Sequence, residues 1–220
     1  MISDIDIKRL VSEVIATLGK EACEENTMDG GIPVGISNRH VHLSREDLET
    51  LFGKGYELTH MKDLSQPGQY AAKETLTIVG PSMRPIEGVR VLGPVRRSSQ
   101  VEISKTDSYV LKLKPPVRES GKTEGSAPIR IIGPKGVVEL SEGCIIANRH
   151  IHMSPEDGVR FGVSDGEYVD VLCEGERKTL WYGVQIRVHK DFRLEMHIDT
   201  DDANAAGVGN GFKAKLLKRN

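Results

Sequence analysis

Two short segments of the chain carry the same arrangement of histidines. Residues 38–47 contain His40 and His42, and residues 148–157 contain His150 and His152, within a shared Asn-Arg-His-x-His-x-Ser-x-Glu-Asp frame. Seven of the ten positions are identical, and the two motifs lie 110 residues apart. Because residues i and i+2 of a strand share a face, each pair of imidazoles can bind one metal ion. The repetition indicates two copies of one structural unit.

A third ligand for each pair is found near the end of each copy. When Ile103 is matched to Ile198, Glu102 aligns with His197 in the same β-pattern. Three protein ligands with an open fourth position are typical of catalytic zinc, and these donors suit Zn²⁺ best, with Co²⁺, Fe²⁺ and Ni²⁺ as alternatives. We therefore predict two metal sites, one in each copy, formed by His40, His42 and Glu102 and by His150, His152 and His197.

Several arginines lie between the two motifs. Arg96 follows a Gly-Pro turn and precedes Glu102 by six residues, so we expect it near the first metal site. There its guanidinium can bind phosphate through two parallel hydrogen bonds, whereas the alternative interpretation is a solvated turn arginine. Arg84 and Arg90 are candidates for contacts with the phosphates of a nucleotide-like cofactor. The chain has no Walker loop and no Gly-x-Gly-x-x-Gly motif after a strand.

The elements that position these residues are predicted to be mostly strands. An apolar segment precedes each motif, and Ser44 and Ser154 are predicted to cap helices of about two turns that end near Gly53 and Gly162. Short β-patterned segments separated by Gly-Pro breaks fill the rest. We predict a mostly β fold of two tandem small β-barrel domains with short capping helices, related by the internal repeat. The expected domains are residues 32–119 and 127–217, joined by residues 120–126.

The N-terminal segment has a different pattern. Apolar residues between positions 2 and 18 recur with a period near 3.6, which predicts an amphipathic helix within residues 1–20, followed by a polar linker at 21–31. The apolar stripe either packs on the same body or a neighbouring subunit, or docks into a groove of another protein. Membrane-surface binding is disfavoured because the polar face carries both signs of charge.

Composition excludes several classes of function. A net charge of −2 and only 5% aromatic residues argue against nucleic-acid binding. No apolar run approaches the roughly 18 residues of a membrane span, and the N-terminus lacks a signal-peptide core. Three cysteines without CxxC spacing argue against a disulfide framework. We expect a cytosolic homo-oligomer, and we interpret the remaining histidines, His60 and His189, as turn or surface residues.

Three features in order carry a family resemblance: the Asn-Arg-His-x-His motifs, Val-Leu-Gly-Pro-x-Arg followed by Gln-Val-Glu, and Glu-Met-His-Ile-Asp-Thr-Asp-Asp-Ala-Asn. Over about residues 32–217 the chain resembles the PduL-type phosphotransacylases, or phosphate propanoyltransferases. The resemblance implies paired β-barrels, two zinc ions in one active site on the six ligands named above, and Arg96 as the phosphate contact. It also implies coenzyme A with its sulfur near the first metal.

The same resemblance implies further contacts. Many family members carry a lysine near Met83, where this chain has Arg84 one place on. Members in bacterial microcompartments have an N-terminal encapsulation helix that residues 2–18 resemble, which implies shell or cargo proteins as partners. The positions expected to line the coenzyme A site are Pro33, Val34, Gly35, Arg84, Arg90 and Asn204.

Together these features predict a phosphate acyltransferase. It would interconvert a short acyl-CoA, propanoyl-CoA or acetyl-CoA, and phosphate with acyl phosphate and coenzyme A, by direct attack of phosphate on the thioester. A covalent cysteine route is the lesser option, since none of the three cysteines has an identifiable base partner. The alternatives are a dinuclear metal hydrolase of esters or phosphates and a non-catalytic metal-binding scaffold. Phosphate-dependent release of free thiol would separate transfer from hydrolysis.

Overall fold

A computed structural model describes residues 30–218, and strands dominate this part of the chain. The predicted helix at residues 2–18, nearly all of the linker and Cys23 lie outside the described residues. In chain order the strands are β1 (Ile32–Ser37), β2 (His40–His42), β3 (His60–Asp63), β4 (Tyr70–Val79), β5 (Pro85–Gly93), β6 (Gln100–Glu102), β7 (Val117–Arg118), β8 (Ala127–Ile132), β9 (Val137–Ala147), β10 (His150–Met153), β11 (Tyr168–Cys173), β12 (Thr179–Val188), β13 (Glu195–Asp199) and β14 (Lys213–Leu217).

Short helices follow the strands that carry the motif histidines and the predicted third ligands. They are α1 (Arg45–Phe52), α2 (Lys105–Leu111), α3 (Pro155–Phe161) and α4 (Thr200–Ala206). The predicted caps are confirmed, because the side chains of Ser44 and Ser154 accept hydrogen bonds from the third helical N–H of α1 and α3. Both helices end at the predicted C-cap glycines, Gly53 and Gly162. None of the helices within residues 30–218 has the length and apolar content that crossing a bilayer requires.

Two six-stranded barrels account for most of these strands, which confirms the predicted fold class. The first closes in the order β4-β5-β2-β6-β9-β8, with β3 and β7 at its margins. The second closes in the order β1-β13-β10-β12-β11-β14. Alternating apolar residues point inward from strands such as β8, so each barrel has its own core. Fully buried core residues of the first barrel include Val41, Leu48, Ile78 and Ile131, and those of the second include Ile151, Phe161, Val184 and Ile186.

The same pairing scheme surrounds each motif strand. β2 pairs in parallel with β5 and antiparallel with β6, and β10 pairs in parallel with β12 and antiparallel with β13. His40 therefore lies opposite Glu102, and His150 lies opposite His197. The internal repeat in the sequence is thus a repeat of strand pairing, which puts the predicted third ligand beside the first histidine of each motif.

The two barrels exchange a strand, and this departs from the predicted domain boundaries. β1 lies in the second barrel, where it pairs with β13 and β14, and β9 lies in the first, where it pairs with β6 and β8. Residues 120–126 therefore do not separate the barrels, since strands of the first barrel stand on both sides of them. The chain crosses between barrels at residues 38–39 and 148–149, directly before each histidine pair. This crossing brings both histidine pairs to the boundary between the barrels.

Candidate active site

The first predicted ligand set forms a compact buried cluster. Nε2 of His40 lies 3.5 Å from one carboxylate oxygen of Glu102, and Nε2 of His42 lies 4.0 Å from the other. The three side chains are at most 9% exposed. Nδ1 of His40 donates to the backbone oxygen of Asn38 at 2.8 Å, which directs its other ring nitrogen toward Glu102. The asparagine of the motif thus orients the first histidine through its main chain.

The second predicted ligand set has the same arrangement, with the imidazole of His197 in place of the Glu102 carboxylate. The rings of His150 and His197 stack with centroids 5.0 Å apart, and His152 lies 4.7 Å from both. Nδ1 of His150 donates to the backbone oxygen of Asn148 at 2.7 Å, as in the first motif. In each cluster the three potential ligand atoms lie within 4.8 Å of one another. The structure therefore groups the six residues as the aligned repeat predicted.

Burial keeps most of these imidazoles neutral. Burial, assisted by the neighbouring imidazoles, lowers the pKa of His42 and His152 to about 2 and that of His150 to about 3. Burial also opposes ionisation of Glu102, but the His40 ring outweighs it, so the pKa of this carboxyl lies well below its usual range. Neutral imidazoles and an ionised carboxylate are the forms that bind a cation.

The chemistry of the donor sets fits a transition metal at each cluster. Two imidazoles with a carboxylate, and three imidazoles, are both established zinc ligand sets that leave a coordination position open. Nδ1 of His152 is buried and has no hydrogen-bond partner among residues 30–218. Burial of a polar nitrogen without a hydrogen-bond partner lowers the free energy of unfolding, unless a bound ligand replaces the missing partner.

The two clusters lie close enough to influence each other. Burial lowers the pKa of His150 and His197, and the Glu102 carboxylate of the first cluster partly opposes that shift. Direct contacts also join the two clusters. Ser120 accepts a hydrogen bond from Gln100, which itself donates to Glu102. The adjacent Glu119 accepts from Gln185, the strand partner of His150. We infer one composite site at the boundary between the barrels.

Arg96 lies beside the first cluster, as the sequence predicted. Its backbone N–H donates to the backbone oxygen of Leu43 at 2.8 Å, and its Nη1 donates to Oγ of Ser120 at 3.1 Å. Burial lowers the pKa of the half-buried Arg96, while the Glu102 carboxylate opposes that change. Arg96 also lines a cavity of about 620 Å³ together with α1 and the loop between β5 and β6. A half-buried arginine near a metal-ligand cluster can bind an anion.

A second arginine belongs to the site and was missed in the sequence. Arg187 lies on β12 opposite His152, and its side chain is only 15% exposed. Its Nε and Nη2 atoms are buried without a hydrogen-bond partner in the described part of the chain. The nearest carboxylate, that of Glu119, is 3.8 Å from Nη2. The available signal was a charged residue within an apolar β-pattern, which alone does not distinguish an inward-facing arginine from a surface one.

Two glutamines were also missed. Gln100 is buried and its Nε2 donates to Glu102 at 2.6 Å. Gln66 belongs to the loop between β3 and β4 of the first barrel, yet its side chain forms two hydrogen bonds with the backbone of Arg193. Its Nε2 donates to the backbone oxygen at 3.1 Å, and its Oε1 accepts from the N–H at 3.2 Å. Its Nε2 also lies 3.5 Å from Nε2 of His197. A residue of one barrel therefore packs on a predicted metal ligand of the other.

The residues expected to line the coenzyme A site fall in different places. Pro33, Val34 and Gly35 lie on β1, where Gly35 is paired with His197. A Cβ atom at Gly35 would approach the carboxyl group of Glu195 to 2.7 Å, so a larger residue there would displace the end of the Glu195 side chain. These backbone groups therefore border the second cluster.

The three remaining candidates are spread more widely. Arg90 lies opposite His40, and its Nη1 donates to the backbone oxygens of Ala72 and Lys73. Arg84 is exposed and precedes β5. It lies six residues before Arg90, and six residues of a strand span on the order of 20 Å. Asn204 is exposed on α4. Only Arg90 among these three is directly paired with a residue of the clusters.

The other histidines and the described cysteines take no part in the clusters. His60 and His189 are exposed and pair with Asp63 and Asp191, so the surface interpretation is correct. Cys144 and Cys173 are buried free thiols. Burial raises the pKa of Cys144 to about 12, which keeps it as an unreactive thiol.

Comparisons with known proteins identify the family to which the chain belongs. The phosphate propanoyltransferase family model matches residues 33–209. A phosphate propanoyltransferase of Thermotoga maritima is 57% identical over 212 residues, covering 96% of both chains. Proteins of that name from Lachnoclostridium phytofermentans and Salmonella typhimurium are 59% and 52% identical, covering 84% and 81% of this chain and 87% and 85% of their own. The protein is therefore an acyltransferase. The chain belongs to the phosphate propanoyltransferase family.

Proposed function

We propose that this enzyme moves a propanoyl or acetyl group between coenzyme A and phosphate at one site that holds two zinc ions. The observation that carries the proposal is the meeting of two three-ligand clusters beside Arg96. One cluster contains a carboxylate and the other contains only imidazoles. The adjacent residues Ser120 and Glu119 form hydrogen bonds beside the first and the second cluster respectively. The names of the relatives support phosphate acyl transfer as the reaction class.

The residues of the chain would act mainly by binding and orientation. When bound, the two metal ions would supply Lewis-acid activation of the thioester carbonyl and stabilisation of the departing thiolate. The low pKa values of His42 and His152 keep these rings available as ligands. Arg96 and Arg187 present guanidinium donors that match the geometry of phosphate oxygens.

Phosphate attacks the thioester directly in this proposal. A phosphate oxygen forms a bond to the carbonyl carbon, the C–S bond breaks, and coenzyme A leaves as a thiolate. Reversal of the same step makes acyl-CoA from acyl phosphate. The buried thiols support the direct route, because neither described cysteine is activated as a nucleophile.

Coenzyme A is proposed to lie along β1 and β5. Gly35 and Arg90 support this placement, since each is paired in register with a cluster histidine. The other contacts stay predictions, and the full set is Pro33, Val34, Gly35, Arg84, Arg90 and Asn204.

An assay of thiol release tests the function. The purified, metal-loaded enzyme is mixed with propanoyl-CoA or acetyl-CoA, with and without inorganic phosphate. We expect thiol release only with phosphate, together with one acyl phosphate per thiol. Release that does not require phosphate would indicate the alternative, a metal-dependent hydrolase, and absence of turnover with metal bound would indicate a scaffold. The ratio of kcat/KM for the two acyl-CoAs assigns the preferred acyl group.

The partners and location are proposed from the N-terminal segment. We propose a cytosolic homo-oligomer that enters a bacterial microcompartment through residues 2–18 docking on shell or cargo proteins. A chain starting at Gly30 should keep its turnover and lose co-localisation with the shell in cells. A truncated enzyme that is folded but inactive would assign the segment to the catalytic body instead.

A further inference from the structure

A short connector runs along the boundary between the two clusters. It comprises residues 116–121, after α2, and contains β7. β7 pairs in parallel with Ile146 and Ala147 of β9, and the backbone oxygen of Arg118 accepts from the N–H of Asn148 at 2.8 Å. The connector is thus held by main-chain hydrogen bonds against the strand that leads to His150. Its following residues have a fixed position with respect to both clusters.

Ser120 of this connector contacts the first cluster. Its Oγ accepts from Nη1 of Arg96 at 3.1 Å and from Nε2 of Gln100 at 3.0 Å. Gln100 in turn donates to Glu102 and accepts from the N–H of Gly121 at 2.7 Å. The hydroxyl therefore fixes the Arg96 guanidinium relative to the carboxylate of the first cluster.

Glu119, the preceding residue, contacts the second barrel. Its Oε1 accepts from Nε2 of Gln185 at 2.5 Å and lies 3.8 Å from Nη2 of Arg187. Gln185 and Arg187 are the strand partners of His150 and His152. The carboxylate, which also pairs with Lys122, therefore stands beside the second cluster.

Each of the two adjacent residues thus contacts one arginine: Glu119 lies beside Arg187, and Ser120 accepts a hydrogen bond from Arg96. Glu119 begins a turn in which the N–H of Lys122 donates to the backbone oxygen of Glu119 at 3.0 Å. From this turn the Ser120 side chain contacts the first barrel and the Glu119 side chain contacts the second. Because the α-carbons of adjacent residues are about 3.8 Å apart, the two guanidiniums that these side chains contact lie in one region of the molecule. Nε and Nη2 of Arg187 are buried without a partner in the described residues, so this guanidinium has free donors for an anion.

We propose that Glu119 and Ser120 are positioning residues that hold Arg187 and Arg96 on two sides of a single phosphate-binding site. The inference rests on the proposed function for the identity of the anion. Glu119 orients Arg187 through its charge and through Gln185, and Ser120 orients Arg96 through its hydroxyl. Neither residue needs to touch phosphate.

A double-mutant cycle on the full-length, metal-loaded enzyme tests the role of Glu119. We expect Glu119→Gln to raise the phosphate KM by about tenfold, the scale of one charge-assisted contact, with the acyl-CoA KM and metal content nearly unchanged. In an Arg187→Ala background the same change should add less than about twofold, because its effect passes through Arg187. Glu124→Gln is the matched control, since Glu124 lies close by in the chain and is exposed.

Ser120→Ala with Arg96→Lys gives the corresponding cycle for the first cluster. Again we expect a raised phosphate KM for Ser120→Ala and little further effect in the Arg96→Lys background. Additive effects in either cycle, or a raised acyl-CoA KM with wild-type phosphate KM, would overturn the positioning role. Loss of metal from Glu119→Gln would also overturn the positioning role, because it would show that Glu119 contributes to metal binding. If Glu119→Gln does not fold, Glu119→Asp replaces it, because it keeps the charge and shortens the reach.

Binding of inorganic phosphate separates this inference from the proposed function. Phosphate that binds the native state raises the unfolding temperature of the metal-loaded protein. We expect this shift in the wild type and in Glu124→Gln, and a smaller shift in Glu119→Gln and Arg187→Ala. A wild type that binds phosphate but shows no phosphate-dependent thiol release would refute the proposed function alone. An equal shift in all four proteins would refute the positioning role alone.

Discussion

Glu102 and His197 occupy equivalent positions in the two barrels, because each lies directly opposite the first histidine of its motif. The barrels therefore differ at this position by one negative charge. A divalent ion on the first cluster would retain one net positive charge, and one on the second would retain two. We expect the second cluster to attract phosphate more strongly, which agrees with the unpaired donors of Arg187 beside it.

The two metal sites should be separable by mutation. His40→Ala should lower the metal content by about one equivalent, and His150→Ala should do likewise, because each cluster offers three predicted ligands among residues 30–218. Metal analysis of gently purified protein measures this. His189→Ala is the control, since that histidine is exposed and pairs with Asp191. A wild type that retains no transition metal would contradict the two-metal proposal.

Arg96 should affect phosphate more than acyl-CoA. Arg96→Lys retains the charge but loses the forked donors and should raise the phosphate KM. Arg96→Ala should cost more, on the order of 2–4 kcal/mol of transition-state stabilisation. Steady-state kinetics with each substrate varied in turn measures the effect. A raised acyl-CoA KM with unchanged phosphate KM would move Arg96 to the coenzyme A site.

Gln66 should link the stability of the second cluster to the first barrel. Gln66→Ala leaves both backbone groups of Arg193 without their amide partner and removes the contact with His197. We expect a loss of about 1–3 kcal/mol in the free energy of unfolding and roughly 10–100-fold weaker binding of one metal ion. Gln69→Ala, in the same loop, is the control. Equal metal affinities for the two variants would show that Gln66 does not support the cluster.

Asp202 should make the protein less stable as the pH rises from about 4 to 6. Burial raises the pKa of this α4 residue to about 6, although Arg149 lies 3.4 Å away and opposes the shift. The unfolded chain releases the same proton near pH 4, so the folded state is favoured below that pH and loses this advantage on titration to pH 6.

Asp202→Asn removes this titration. The difference in free energy of unfolding between wild type and variant should change by about 2–3 kcal/mol between pH 4 and 7, in favour of the variant at pH 7. Chemical unfolding at several pH values measures it. Asp191→Asn, at an exposed site, is the control for the substitution itself. A pH-independent difference for Asp202→Asn would mean that its carboxyl titrates normally in the folded protein.

The local parts of the site were predictable from the sequence. Ser44 and Ser154 cap helices because their side chains satisfy N–H groups only three residues away, so the pattern is complete within one segment. The two histidines of each motif share a face for the same short-range reason. Glu102 was found because the internal repeat supplied its counterpart, His197, at the same step of an alternating pattern. That these six residues bind metal stays a prediction.

The sequence by itself determined the two repeated side-chain clusters, the capped helices and the barrel class, since each depends on local periodicity or on comparison of the two copies. Only the tertiary structure decided which barrel each strand joins. β1 and β9 cross to the opposite barrel, and Gln66, Glu119 and Arg187 meet the clusters through contacts between distant segments. Strand pairing of this kind depends on main-chain hydrogen bonds that any residue except proline can donate. It therefore leaves little trace in the amino-acid pattern, although it creates the boundary at which the site is built.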